Sequence, residues 1–162
     1  MNPLKYFLGL ALLSFVACTQ PPDYPDEPII EYKTMTKNTM LQGSVNNDSL
    51  LMTVTFTDGD GDLGEMGDNR DPQSSVYLVD TRINDTLTPR TIPFVPEQGA
   101  GNGISGDMSF TVFTTCCIYL GQACQVFEDQ PIDTVRYLIQ IKDRAGNFSN
   151  VVESEPIFLL CQ

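Results

Sequence analysis

Between Pro28 and Cys161 the apolar residues fall at every second position, and that spacing confines the chain to β-structure. Leu50, Met52, Val54 and Phe56 alternate with Leu51, Thr53, Thr55 and Thr57. Successive side chains of a strand point to opposite faces, so this run makes one apolar face and one half-exposed face. Met108, Phe110 and Val112 alternate with Ser109, Thr111 and Phe113 in the same way. Val135, Tyr137, Ile139 and Ile141 alternate with Arg136, Leu138, Gln140 and Lys142. Val76 to Asp80 is a further run, and weaker strands are predicted at Ile29–Met35, around Thr91–Val95 and at Glu155–Leu160. Turn chemistry separates them: Asn46-Asn47-Asp48, Asp58-Gly59-Asp60-Gly61, Gly99 to Gly103, and Ala145-Gly146-Asn147. No long stretch carries the 3.6-residue period of a helix.

About seven short strands in roughly 130 residues predict a single all-β domain over residues 29–162, large enough to bury a sizeable core. The pattern fits an antiparallel β-sandwich of immunoglobulin or fibronectin type. Lettered in that topology, strand B is 49–57, C is 75–80, E is 107–114 and F is 134–142. The B–C, D–E and F–G loops then gather at one end of the sandwich. The E–F segment, with Cys116, Cys117 and Cys124, lies at the other end, where strand G finishes at Cys161. Four cysteines in an exported chain read as two disulfides. Adjacent Cys116 and Cys117 are poorly placed to bond each other, so each takes one of Cys124 and Cys161. A four-thiolate zinc site is the alternative, although the spacing lacks the paired C-x-x-C knuckles such sites favour. The chain has no His, which removes Ser-His and Cys-His catalysis and most zinc enzymes.

Export itself is read from the first residues. Lys5 precedes the apolar run Tyr6 to Leu13, which continues to Ala17 and stops at Cys18. A basic start, a short apolar middle and small residues at its end describe a secretory leader of residues 1–17, too short to span a membrane. The run Phe15-Val16-Ala17-Cys18 resembles the lipobox of bacterial lipoproteins, with Phe15 where Leu is more usual. That resemblance implies that Cys18 carries the lipid and becomes the first mature residue, with residues 18–28 as a Pro-rich, acidic tether. Thr19, rather than Asp, follows the cysteine, which implies the outer membrane as destination. Loss of Lys5 leaves eight basic against 21 acidic residues, a net −13. Such a surface disfavours nucleic acid and favours cations or basic partners.

The acids cluster in one place. Asp58-Gly59-Asp60-Gly61-Asp62-Leu63-Gly64-Glu65 is followed by Asp68 and Asp71. Three Asp at alternate positions among glycines can wrap several oxygens around one ion, and calcium takes six to eight such ligands. The EF-hand pattern is met only at its first three ligand positions; Leu63 occupies its Gly slot and Asn69 its final Glu slot. In the proposed topology this loop meets the F–G loop, where Asp143 and Asn147 add two oxygen ligands. The alternative is a solvated turn in which Asp and Gly serve only as turn formers.

The phrase Phe56-Thr57-Asp58-Gly59-Asp60-Gly61-Asp62-Leu63-Gly64, with Asp143-Arg144-Ala145-Gly146-Asn147-Phe148-Ser149-Asn150, resembles a set of small outer-membrane lipoproteins of Bacteroidota type. The resemblance implies an immunoglobulin-like sandwich and a lipid anchor, and carries no assigned activity. The expected role is therefore a non-enzymatic binding or accessory module, calcium-stabilised, meeting an outer-membrane protein or glycan. A structural subunit of an envelope complex is one alternative. A glycan-processing enzyme using Asp60 and Asp62 or Asp143 is the other, although acids crowded in one loop do not flank a cleft. The tether is expected to leave the domain beside the acidic loop.

Overall fold

The computed structural model of the protein describes residues 23–65, 75–87, 89–96 and 103–162. The leader 1–17, Cys18 and the first tether residues lie outside the described residues. Those described form thirteen strands: β1 (Ile29–Met35), β2 (Thr39–Leu41), β3 (Ser49–Asp58), β4 (Ser75–Asp80), β5 (Asp85–Thr86), β6 (Arg90–Thr91), β7 (Ile104–Phe113), β8 (Ile118–Tyr119), β9 (Gln122–Ala123), β10 (Ile132–Val135), β11 (Tyr137–Lys142), β12 (Val152–Glu153) and β13 (Ile157–Leu160). No helix of the described residues is long and apolar enough to cross a membrane.

In the first sheet β3 is central, with β1 and β7 on either side. It pairs with β7 in unbroken antiparallel register, from Ser49 opposite Phe113 to Asp58 opposite Ile104. A second sheet pairs β11 with β4, Tyr137 opposite Asp80 and Lys142 opposite Ser75, with β5, β6 and β12 at its margins. A third joins β10, β13 and β2, and there β2 runs parallel to β13. Leu50, Met52 and Val54 from the first sheet share one apolar cluster with Val76, Leu78, Ile139 and Ile141 from the second and Ile157 and Leu159 from the third. An all-β chain whose sheets bury a common core in this way is consistent with a β-sandwich.

Three predicted strands differ in detail. Strand F is two strands in two sheets, β10 and β11, which change over at Arg136. Ser154 spans the break: its Oγ accepts the Tyr137 amide, and its own amide donates to the Tyr137 carbonyl. Strand G, expected at Glu155–Leu160, is shortened to β13, because Pro156 has no amide hydrogen for a ladder; β12 lies ahead of it as a separate strand in the second sheet. The stretch 91–95 contributes only the end of β6, which pairs with β4, because Pro93 interrupts any longer ladder.

The β-alternation also carries polar residues inward. Asp58 continues the buried row of Leu50, Met52, Val54 and Phe56; Asp80 follows Val76 and Leu78; Asp143 follows Ile139 and Ile141. All three aspartates are buried. At the end of the domain near Asp80, disulfides join Cys116 to Cys124 and Cys117 to Cys161, one of the two pairings that the sequence leaves open. Sulfurs committed to disulfides are not thiolates, which disposes of the zinc alternative. Cys116–Cys124 closes the β8–β9 hairpin. Beside it Arg82 binds Asp80 through Nη2 to Oδ2 (2.6 Å) and Nε to Oδ1 (3.0 Å). Its Nη1 donates to Asp133 Oδ2 at 2.6 Å and to the Cys116 carbonyl at 3.1 Å.

Candidate metal centre

The opposite end of the core is built differently. β3 ends at Asp58, and the chain turns through Gly59 to Gly64 before bridging to Pro93 at Glu65. Leu63, fully buried, plugs this loop into the core. The Glu65 amide donates to the Ile92 carbonyl at 2.9 Å, which fixes the loop's far end. The loop that follows β11 closes over it, as the topology predicted. Arg144 Nη1 donates to the Gly64 carbonyl at 2.6 Å, and the Ala145 amide donates to Asp62 Oδ2 at 2.8 Å. A third segment passes behind Asp58 at Gly103, where φ is +73° and a Cβ would stand 2.2 Å from the Asp58 carbonyl oxygen. Only glycine fits both that backbone angle and that approach.

These segments bring one carboxylate oxygen each of Asp58, Asp60 and Asp62 within 4.8 Å of one another. Asp58 is buried, Asp62 half-buried and Asp60 exposed, so the group opens to solvent on the Asp60 side. Among the described residues neither Asp58 oxygen has a hydrogen-bond partner, and neither does Asp62 Oδ1. Burial first, then the neighbouring charges of Asp60, Asp62 and Asp143, push the Asp58 carboxyl up to about 7. The nearby Asp62 amide offsets part of this without reaching hydrogen-bonding geometry. Asp62 is also raised, by burial and then by Asp143, with the Ala145 amide and Arg144 acting against the shift.

Asp143 lies outside the cluster of three and caps its own turn. Its Oδ1 accepts the Gly146 and Asn147 amides, both at 2.7 Å, and its Oδ2 accepts Asn147 Nδ2 at 2.9 Å. An Asp that caps its own turn has its carboxylate held locally, and the Asp143 charge acts on both Asp58 and Asp62. Asn147 is likewise tied to Asp143 through its side-chain nitrogen. Glu65 is buried at the loop's end and is not among the three clustered acids. Asp68 and Asp71 lie outside the described residues.

The spacing suits a hard cation. Oxygens bound to calcium at about 2.3–2.6 Å lie at most about 5 Å apart across the ion. Three carboxylates that close repel by about 1 kcal/mol per pair in water and about 4 kcal/mol per pair at a partly buried surface. A divalent ion turns that repulsion into attraction. The two clefts beside Arg90 are of another kind. The larger, about 350 Å³, is lined by Asn46, Leu87, Arg90, Phe113, Thr114 and Thr115, and among the described residues no Asp or Glu lines either cleft. Comparison with protein-family models, curated proteins and solved structures finds no match for this chain.

Proposed function

We propose that this protein is a lipid-anchored accessory or binding module of the bacterial outer membrane, an immunoglobulin-type sandwich whose acidic end holds calcium. Asp58 is the observation that carries the ion. The chain neutralises buried Asp80 with Arg82 and satisfies buried Asp143 with three N–H donors. To Asp58, equally buried, the described residues supply neither a basic side chain nor a hydrogen bond. An unpaired buried carboxylate is unfavourable unless it binds a metal or a proton. The two clustered partners, Asp60 and Asp62, favour the metal.

The immunoglobulin-type reading is supported by connectivity: β1, β3 and β7 share one sheet, β4 and β11 another, and β2 lies parallel to the last strand. The anchor rests on the apolar run that ends at Cys18, and two disulfides suit an exported chain. A non-catalytic role is favoured because the clustered acids converge on one point instead of flanking a cleft.

Extracellular calcium modules bind at roughly 0.1–1 mM. At 5 mM calcium that range gives about 1–2 kcal/mol of added stability, a rise in Tm of about 3–10 °C. Loss of the rise in Asp60→Ala supports the site, and no shift in the native protein refutes it. Recovery of a specific outer-membrane partner with the tagged lipoprotein tests the accessory role, which an empty pull-down contradicts.

A further inference from the structure

Resting on that calcium reading, we infer that the ion and the tether are coupled: calcium holds residues 23–28 against the loop that binds it, and the docked tether tightens the calcium in return. Gly59, between the ligands Asp58 and Asp60, donates its amide to the Pro25 carbonyl at 2.8 Å. The contact is close enough that a Cβ on Gly59 would stand 2.3 Å from the Tyr24 carbonyl oxygen and 2.6 Å from that of Pro25. The tether therefore lies directly on the backbone of the ion loop.

A second grip holds it from the other side. The Asn150 side chain donates to the Ile30 carbonyl and accepts the Ile30 amide, both at 2.8 Å. Asn150 belongs to the segment after β11 whose Ala145 amide binds Asp62. The chain from Pro25 to Ile30 thus bridges the two loops that the acidic group joins, and Pro28 between them is buried. Without the ion the three carboxylates repel, and the loop relaxes by parting them. Gly59 lies between the first two, so that movement carries it away from Pro25. With the ion bound, Gly59 is fixed and presents its amide to the tether.

Coupling between two sites is reciprocal, so whatever factor calcium contributes to docking, docking contributes to calcium affinity. One net backbone hydrogen bond corresponds to about a two- to tenfold effect. Docking also takes residues 23–28 out of the reach between Cys18 and the domain, so calcium would set how far the domain stands from its anchor.

The chain has no Trp, so Tyr24→Trp places a single fluorescent reporter beside Gly59. With the mature lipoprotein in detergent, calcium chloride is expected to shift its emission with the same Kd that calorimetry reads. Gly59→Ala, which forces the tether off, and deletion of residues 19–25, which leaves the loop untouched, should each weaken calcium two- to tenfold without abolishing it. Calcium heat with a silent reporter and unchanged affinity in the deletion overturns the coupling and leaves the site standing. A weakened Gly59→Ala beside an unaffected deletion overturns it too, as an effect local to the loop. No calcium heat at 5 mM overturns both.

Discussion

Asp58→Asn is expected to stabilise the protein when calcium is absent and to lose most of that advantage when calcium is present. Asp58 is fully buried without a hydrogen-bond partner among the described residues, and its carboxyl is pushed from an ordinary 3.8 up to about 7. The folded value lies above the unfolded one, so the native chain holds this proton more tightly. Stability of the ion-free protein therefore falls as pH rises from about 4 to about 7, and then levels off. A shift of about three pH units corresponds to about 4 kcal/mol. Asn keeps the shape and removes the charge. Its buried amide, left unpartnered, gives back about 1–3 kcal/mol. The net gain at pH 8 in chelator is then about 1–3 kcal/mol, or about 3–10 °C in Tm. At pH 5 the native Asp58 is already protonated, and the gain vanishes. With 5 mM calcium at pH 8 that lead shrinks by the about 1–2 kcal/mol the ion adds to the native protein, because Asn offers the ion one neutral oxygen and forfeits the calcium-dependent gain. Thermal melts followed by circular dichroism at pH 5 and 8, with EGTA or calcium, read all four cases. If the variant is less stable than the native protein in EGTA at pH 8, the charge argument is wrong; if the difference between them is the same in EGTA and in calcium, Asp58 does not bind the ion.

The other end of the domain supplies three further tests. Cys117–Cys161 joins residues 44 apart and Cys116–Cys124 residues 8 apart, so the chain-entropy model assigns about 4 and about 2.5 kcal/mol to them. Urea unfolding of the two double-Ala variants should show that order, and equal losses would count against it. Arg82→Ala strands Asp80, which is 1% exposed, and should cost about 3–5 kcal/mol in the same assay; a loss under about 1 kcal/mol would mean Asp80 finds another partner. Leu120 sits at the β8–β9 hairpin tip with φ +49° and 82% exposure, ahead of Gly121 at φ +77°. Leu120→Asn creates the Asn-Gly pair such turns prefer, and should raise stability by about 1 kcal/mol; a lower Tm would refute the strain.

Much of this was legible, and the limits have physical causes. β3 is predicted from its alternation to within one residue, and the adjacency of Cys116 and Cys117 excludes a bond between them but does not choose between the two remaining pairings. The break at Arg136 was not visible, because a strand that passes from one sheet to another keeps its alternation: Val135 and Tyr137 both face inward. β2, three residues long, is too short to display a period. In the acidic loop the turn chemistry drew attention to alternate Asp residues, while strand parity held the sharper signal. Leu50, Met52, Val54 and Phe56 put Asp58 on the inward phase, just as Val135 to Ile141 put Asp143 there. Asp143 also caps its own turn through Gly146 and Asn147, a second task that residue spacing does not reveal. Nothing in the spacing marked the Asp80–Arg82–Asp133 cluster, since Arg82 lies beyond the strand whose aspartate it neutralises.

Whether Asp58 takes a proton or an ion is a competition with a definite pH dependence. At pH 7.4 a carboxyl titrating at about 7 is protonated less than a third of the time, so displacing that proton reduces calcium affinity by only about 1.4-fold. Each unit below 7 multiplies the penalty by about ten, and at pH 5 it reaches about a hundredfold. An ordinary surface carboxylate near 3.9 imposes almost no penalty over the same range. Calcium titrations by calorimetry between pH 5 and 8 therefore distinguish a site built on buried Asp58 from one built on solvated acids of the same loop. The first gives an affinity that is flat above about pH 7.5 and falls about tenfold per unit below 7, with close to one proton released per calcium at acid pH. A flat affinity throughout would show that Asp58 is not a ligand and that its burial has another cause.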